Sequence, residues 1–403
     1  MRDWRGLAGE TPEARGRAWA TRPTRRHRAR FLPLALAVAV LTLISVMPAR
    51  ASAPVGAAPP AELTLPEALA LMPDTPAVRT AGVWYNDYAL AQSTYGLTST
   101  MTISASSTSE IRAYFQAMLP LRPGAETGVA ALATGQWRQR YGYDLFQLGG
   151  DIYSRSGDSY FCPPKGGGNY PLAVATGAID TALIRRDLAA DTYIVANTVA
   201  GSGTLFIRPS LLNLDAHDAV MNALLPGPRR LIAGVRPCGV ARVAQALDQK
   251  AATLGTNGAF VTLAAALGRV QAAYMAANVA PPPFALPPFP KPSGGHAGPP
   301  LHPFGLYAVA YQETRPGERY VVLGLDYTRR ADALSDSATL SARLRRESLA
   351  IYGAPWRNLV DLTSASLTVD GAVLVARLRL RPTTPPTLWQ DVVIEHGLSL
   401  LSR

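Results

Sequence analysis

The run from Ala280 to Phe304 limits what this chain can build more than any other stretch. It reads Pro-Pro-Pro-Phe, Pro-Pro-Phe-Pro-Lys-Pro, Gly-Gly-His and Gly-Pro-Pro in close succession. Each proline removes a backbone donor and fixes φ, so the run can be neither an α-helix nor a central strand. It is predicted to be a polyproline-like linker or an extended surface loop. Whatever folds must be assembled from residues 65–279 on one side and 305–403 on the other.

The segment after the break is the easier to read. Leu306–Tyr311 and Tyr320–Tyr327 flank a polar turn with Pro316-Gly317, which predicts a hairpin. Asp332–Tyr352 reads as a helix with Arg343, Arg345 and Arg346 near its end, where cations suit the macrodipole. Ala365–Val369 and Ala372–Leu380 flank Asp370-Gly371, a strong two-residue turn signal. Before the break, Val83-Trp84-Tyr85, Leu172–Gly177, Leu205–Ile207 and Leu231–Val235 read as strands. Ile111–Leu119 and Asp180–Leu188 read as helices, the latter opened by an Asp cap, and Asp215–Leu225 as a further short one. Two more apolar stripes, Val240 to Leu254 and Phe260 to Tyr274, also read as helices. The prediction is an α+β protein of two mixed α/β lobes, residues 65–279 and 305–403. The second lobe is expected to be a small antiparallel sheet in β-β-α-β-β order, covered by its helix.

Near the N-terminus, Phe31–Met47 is an uncharged apolar run preceded by Arg22, Arg25, Arg26, Arg28 and Arg30 and followed by Ala49-Arg50-Ala51. Basic, apolar and small-x-small parts in that order predict a secretory signal over residues 1–51, with cleavage after Ala51. The alternative is an uncleaved signal anchor, because the run approaches the ~17-residue minimum for spanning a bilayer. Residues 52–64 then form a small-residue and proline spacer, and the remainder is expected outside the cytoplasm. Composition enters here. The 403 residues are 48% hydrophobic and 17% charged, as in a globular protein, and carry a net charge of +11. Seven of those eleven charges fall in residues 1–50, so the exported part is only mildly basic and nucleic acid is not an expected partner.

Few residues carry a chemical signature. Cys162 and Cys238 are the only cysteines, and in an oxidising compartment they are a candidate disulfide, with two buried thiols as the competing reading. Arg377, Arg379 and Arg381 alternate with apolar residues, which would put three guanidinium groups on one sheet face and suits an anionic lipid or wall polymer. The ordinary alternative is the wet face of an antiparallel strand. The aromatic-dense segment 141–161 would line a sugar or lipid groove or else pack as core. His217 sits in a helix-start pattern, and His296 and His302 in the proline run read as solvated. Gly166-Gly167-Gly168 lacks the order of a phosphate loop, and Gly201-Ser202-Gly203 lacks the spacing of a nucleophile elbow. The pairs Asp180/Asp187 and Asp187/Asp191 fit a solvated helix face. No metal or cofactor is expected.

Several short motifs are shared with a known group. Pro-Asp-Thr-Pro at 73–76 ahead of Val-Trp-Tyr-Asn-Asp-Tyr, Gly-Tyr-Asp at 142–144, Gly-x-Ile-Asp at 177–180, Gly-Leu-Asp-Tyr at 324–327 and the closing His-Gly-Leu-Ser-Leu-Leu resemble exported proteins of unknown function from high-GC bacteria. The resemblance implies one envelope-facing unit with mixed sheets and assigns no site residues. The expected function is a non-catalytic binding or structural module at the cell envelope, and the alternative is a secreted hydrolase acting on envelope polymers or esters.

Overall fold

The computed structural model describes residues 62–97, 108–122, 135–154, 172–191, 193–196, 203–208, 219–227, 229–248, 251–279, 298–349, 352–394 and 399–401. All belong to the compact unit Ala49–Arg403. The expected signal and spacer up to residue 61, the core of the proline run at 280–297, Cys162, His217, His296 and His396 lie outside the described residues.

The strands are β1 (Val83–Asp87), β2 (Leu148–Ser154), β3 (Leu172–Gly177), β4 (Ile194–Ala196), β5 (Leu205–Ile207), β6 (Ala223–Gly227), β7 (Arg230–Gly234), β8 (Ala272–Ala277), β9 (Phe304–Glu313), β10 (Arg319–Tyr327), β11 (Ser348–Leu349), β12 (Ala354–Pro355), β13 (Val360–Asp370) and β14 (Val373–Leu380). The helices are α1 (Leu65–Leu69), α2 (Pro76–Ala81), α3 (Tyr88–Thr94), α4 (Thr108–Met118), α5 (Gly135–Tyr141), α6 (Thr181–Ala190), α7 (Pro237–Asp248), α8 (Gly258–Leu267), α9 (Arg330–Arg346), α10 (Trp356–Leu359) and α11 (Leu388–Ile394). None of the described helices is long and apolar enough to cross a membrane.

Twelve strands form one antiparallel sheet in the order β13-β14-β10-β9-β8-β1-β2-β3-β7-β6-β5-β4. The protein is therefore α+β, but the expectation of two lobes gives way to a single sheet that runs through both sides of the proline break. The joint is β8. It pairs with β9 from Ala272↔Tyr311 to Ala277↔Leu306, and with β1 from Val83↔Met275 to Asn86↔Ala272. Its sequence, Ala-Ala-Tyr-Met-Ala-Ala, favours helix by propensity and shows no polar alternation, because it is covered on both faces. The stripe from Phe260 to Tyr274 was accordingly expected to be one helix. The helix ends instead at Leu267, where Gly268 takes φ +72°, and the chain re-enters the sheet.

Alternation along the central strands feeds two cores. Trp84 and Tyr274 point to one face, where Trp84 meets Tyr153, Tyr274 and Trp389 at ring-centroid distances of 6.0, 4.9 and 5.6 Å. Val83, Tyr85, Ala273 and Met275 point to the other, against Leu69 of α1, Val240 of α7 and Phe260 and Leu263 of α8. Each such fully buried apolar side chain stabilises by ~1.5–3 kcal/mol. Trp389 also donates through its indole nitrogen to the Pro120 carbonyl at 2.8 Å, so α11 binds a segment from the other side of the break. Close packing at the joint requires Gly82, since a Cβ there would lie 2.5 Å from the Tyr274 ring and φ is +76°.

Two further corrections have local causes. Of the helix expected at Asp215–Leu225, residues 215–218 lie outside the described ones; Ala219–Asn222 is a single 3-10 turn and Ala223 begins β6. The Leu-Leu-Pro-Gly that follows cannot continue a helix, and β6 folds back on β7 with Gly227↔Arg230 as the last pair. The end of the proline run is not a tether either. Leu301 is buried, and the Pro299 carbonyl accepts from Arg343 Nη2 at 2.8 Å.

Candidate functional site

The arginines picked out by their alternation lie on and just past β14. Arg377 sits opposite Val322 and Arg379 opposite Tyr320 of β10. Arg377 crosses the sheet face under α8, where its Nη2 donates to the Leu267 carbonyl at 2.7 Å and its Nε to Gln312 Oε1 at 3.3 Å. It thus caps a helix C-terminus, a position that favours a cation. Arg379 is exposed beyond the end of α8 on the same side by its period of two. Arg381 follows the last strand residue, and its Nε donates at 2.9 Å to the Arg357 carbonyl of α10, which packs Trp356 and Leu359 on the opposite face. Two of the three guanidinium groups therefore share a face and the third turns around the sheet end.

Arg319, the first residue of β10, joins them. Its Nη2 donates to the carbonyls of Arg381 and Pro382 at 3.4 and 3.1 Å. The sequence reading begins this strand at Tyr320 and leaves Arg319 in the turn, because its partners lie about sixty residues downstream. Arg319, Arg377 and Arg381 share one property: the hydrogen-bond partners that hold them are neutral, backbone carbonyls and the Gln312 amide. Their positions are fixed while their charge stays uncompensated by those bonds. Carboxylates nearby are otherwise occupied. Glu318 accepts from Thr314, Arg315 and Tyr320, which holds its pKa below the ordinary carboxylate range, Thr314 first. Asp361, the cross-strand partner of Arg379, accepts from the Thr363 hydroxyl and amide with the same effect, and the Arg381 charge adds to it. Buried Glu313 accepts hydrogen bonds from the Tyr95 and Tyr311 hydroxyls and the Gly317 amide.

The remaining residues singled out in the sequence are scattered. Cys238, near the start of α7, is disulfide-bonded; the other cysteine of the sequence, Cys162, lies outside the described residues. Tyr141, Tyr143, Phe146 and Tyr153 from the aromatic segment are core residues, not groove lining. Asp180 caps α6 by accepting from the amides of Ala182 and Leu183, Asp187 pairs with Arg186, and Asp191 pairs with Arg140. His302 departs from the expected solvated loop. Its amide and Nδ1 both lie 2.7 Å from the Asp336 carboxylate, and its Nε2 is 3.9 Å from Asp332 Oδ1. Asp332 is itself gripped by Arg329 through two bonds of 2.9 Å. Position after the proline run concealed this, because the partners lie about thirty residues downstream on α9.

A second polar network is internal to the sheet centre. Asp151 accepts from Asn86 Nδ2 at 2.6 Å and from the Tyr88 hydroxyl at 2.9 Å, and Asn86 also exchanges bonds with the backbone of Arg122. Desolvation drives the Tyr88 hydroxyl far above its usual range, so it stays a donor. No group of three or more metal-binding side chains occurs among the described residues. The chain matches no protein-family model, no curated protein and no solved structure.

Proposed function

We propose that this chain is an exported, non-catalytic binding module of the cell envelope, and that the arginine-bearing end of β10 and β14 contacts anionic phospholipid headgroups. The observation that supports it is the manner in which Arg319, Arg377 and Arg381 are held, by neutral groups that fix the guanidinium without neutralising it. Arg379 and Arg357 add exposed cations beside them. Such an array meets phosphate oxygens without first breaking ion pairs. In this reading the signal expected at Phe31–Met47 delivers the chain across the membrane, and the β-β-α-β-β segment of residues 305–403 is the unit that presents the surface. The burial of Tyr141, Tyr143, Phe146 and Tyr153 argues in the same direction, since these rings pack in the core and do not line a groove.

Co-sedimentation with vesicles tests this. The protein should pellet with phosphatidylglycerol vesicles at low salt, remain in solution with phosphatidylcholine, and be released as salt rises. Arg379→Ala combined with Arg381→Ala should weaken the association roughly tenfold or more, at ~1 kcal/mol per arginine. Equal binding to both vesicle types, or no loss in the double variant, would sink the proposal. The hydrolase alternative draws on one feature, the half-exposed His302 oriented by Asp336. It predicts an esterase activity that His302→Ala abolishes.

A further inference from the structure

The centre of the sheet carries a cavity whose chemistry differs from that of the arginine end. It lies over the end of β1, between the start of α1 and the last turn of α8, with a volume of about 350 Å3. That places it at the small end of ligand pockets. Leu65, Pro66, Ala264 and Val270 supply apolar walls, and Tyr85 and Asp87 supply the polar floor. Asp87 is nearly fully buried, at 2% exposure.

The floor has an unusual proton arrangement. Tyr85 donates its one hydroxyl proton to the Leu63 carbonyl at 2.6 Å. Asp87 Oδ1 is taken by the Leu90 amide at 2.8 Å, where it caps α3. The Tyr85 hydroxyl also lies 3.4 Å from Asp87 Oδ2, a long second donor contact. The second carboxyl oxygen therefore faces the cavity with only a long contact. Desolvation, foremost, pushes the Asp87 carboxyl up to about 7, with Glu62 adding to the rise and the Leu90 amide, Tyr85 and Arg269 opposing it.

Carboxylates outnumber cations around the cavity. The last turn of α8 contributes Ala264, Ala265 and Gly268 to the lining, and Arg377, whose Nη2 donates to the Leu267 carbonyl at 2.7 Å, offsets the partial negative charge of that helix end. Glu62 and Glu67 flank the mouth on the α1 side; Glu67 is bonded to the amide and hydroxyl of Thr64. The one cation of the lining, Arg269, is exposed and paired with Glu62 at the rim.

We propose that this cavity binds a small alkylammonium ion, with the amine on Asp87 Oδ2 and its short apolar chain against Leu65, Pro66 and Val270. An anion would meet the buried carboxylate, and a purely apolar ligand would leave Asp87 Oδ2 with only its long contact to the Tyr85 hydroxyl.

Isothermal titration of the full chain with n-butylammonium, with butyrate and n-butanol as matched controls, tests the assignment. Butylammonium should bind one to one, about tenfold more tightly at pH 8 than at pH 6, because only the ionised Asp87 pairs with it. Asp87→Asn keeps an acceptor for the Leu90 amide, so the α3 cap survives. It should weaken binding at least tenfold and remove the pH dependence. Ala265→Leu, at an exposed position on the cavity rim, should obstruct entry without disturbing the core. Butyrate or butanol binding as tightly as butylammonium, unchanged affinity in both variants, or no binding at pH 8 would overturn the proposal.

Discussion

The two sides of the proline break build the same sheet by different means. After the break, β9, β10, β13 and β14 are 8 to 11 residues long and pair as hairpins. Before it, β4 and β5 have three residues each and β6 and β7 five. Their polar chemistry differs in the same way. In the first half a buried carboxylate, Asp151, is satisfied by an amide and a hydroxyl, and acts as a fastener between β2, β1 and α3. In the second half it is cations that bond to backbone carbonyls. A cation bonded to carbonyls inside the fold, with a carboxylate beside it, is structural, as with Arg343 and Glu347; one held by carbonyls at the surface is left with charge to offer, as with Arg381.

The largest expected effect tests the buried member of that pair. Arg343 is fully buried, donates to the Leu400 carbonyl at 2.6 Å and the Pro299 carbonyl at 2.8 Å, and lies 4.0 Å from Glu347. Arg343→Ala should cost about 3–5 kcal/mol in chemical unfolding, because it strands the carbonyls and a buried Glu347. A loss under ~1 kcal/mol would show that these bonds fasten nothing.

Next comes pH. The folded chain keeps a proton on Asp87 up to about pH 7, whereas an unfolded aspartate releases it near ~3.9. Between those values the folded state binds more protons, so stability must fall as pH rises from about 4 to 7, and level off above. The fall attributable to this group is at most about 4 kcal/mol, at ~1.4 kcal/mol per unit. Asp144 and Asp326 are also shifted up, chiefly by desolvation, so the informative quantity is the difference between wild type and Asp87→Asn. If urea midpoints of the two proteins track each other from pH 4 to 8, Asp87 does not hold its proton.

Asp151→Asn comes third. Replacing one carboxylate oxygen by an amide sets a donor against either Asn86 or the Tyr88 hydroxyl, and should cost about 2 kcal/mol. Arg379→Ala closes the series with the smallest effect on stability, within ~0.5 kcal/mol, since an exposed cation contributes little to folding. Its effect should appear in vesicle binding instead. Comparable destabilisation by Arg379→Ala and Arg343→Ala would erase the distinction between the halves.

Legibility in the sequence followed the same division. The hairpins of the second half announce themselves through long apolar alternation and turn residues. Even there the register moved by one, because β13 and β14 pair Asp370↔Val373 and the turn residues are Gly371, at φ +57°, and Ala372. In the first half β3 and β5 coincide with their expected spans, and α6 runs two residues past Leu188 with Asp180 as the expected cap. What stayed hidden was β8, whose alanines carry helix propensity and whose strand identity comes only from neighbours on both sides. Hidden for the same reason were His302 and Arg319, whose partners lie far away in sequence. Only the part of the candidate surface that repeats with period two, Arg377, Arg379 and Arg381, could be read in advance.

The claim on which the whole account rests is that β8 and β9 make one sheet out of two segments. A specific protease site inserted between residues 280 and 297 tests it directly. After complete cleavage, the fragments should co-elute in size-exclusion chromatography under native conditions and unfold in one transition, held by the β8–β9 ladder and the Trp389 bond to Pro120. Separation of the fragments without denaturant, or two independent unfolding transitions, would mean that the segments are separate lobes after all.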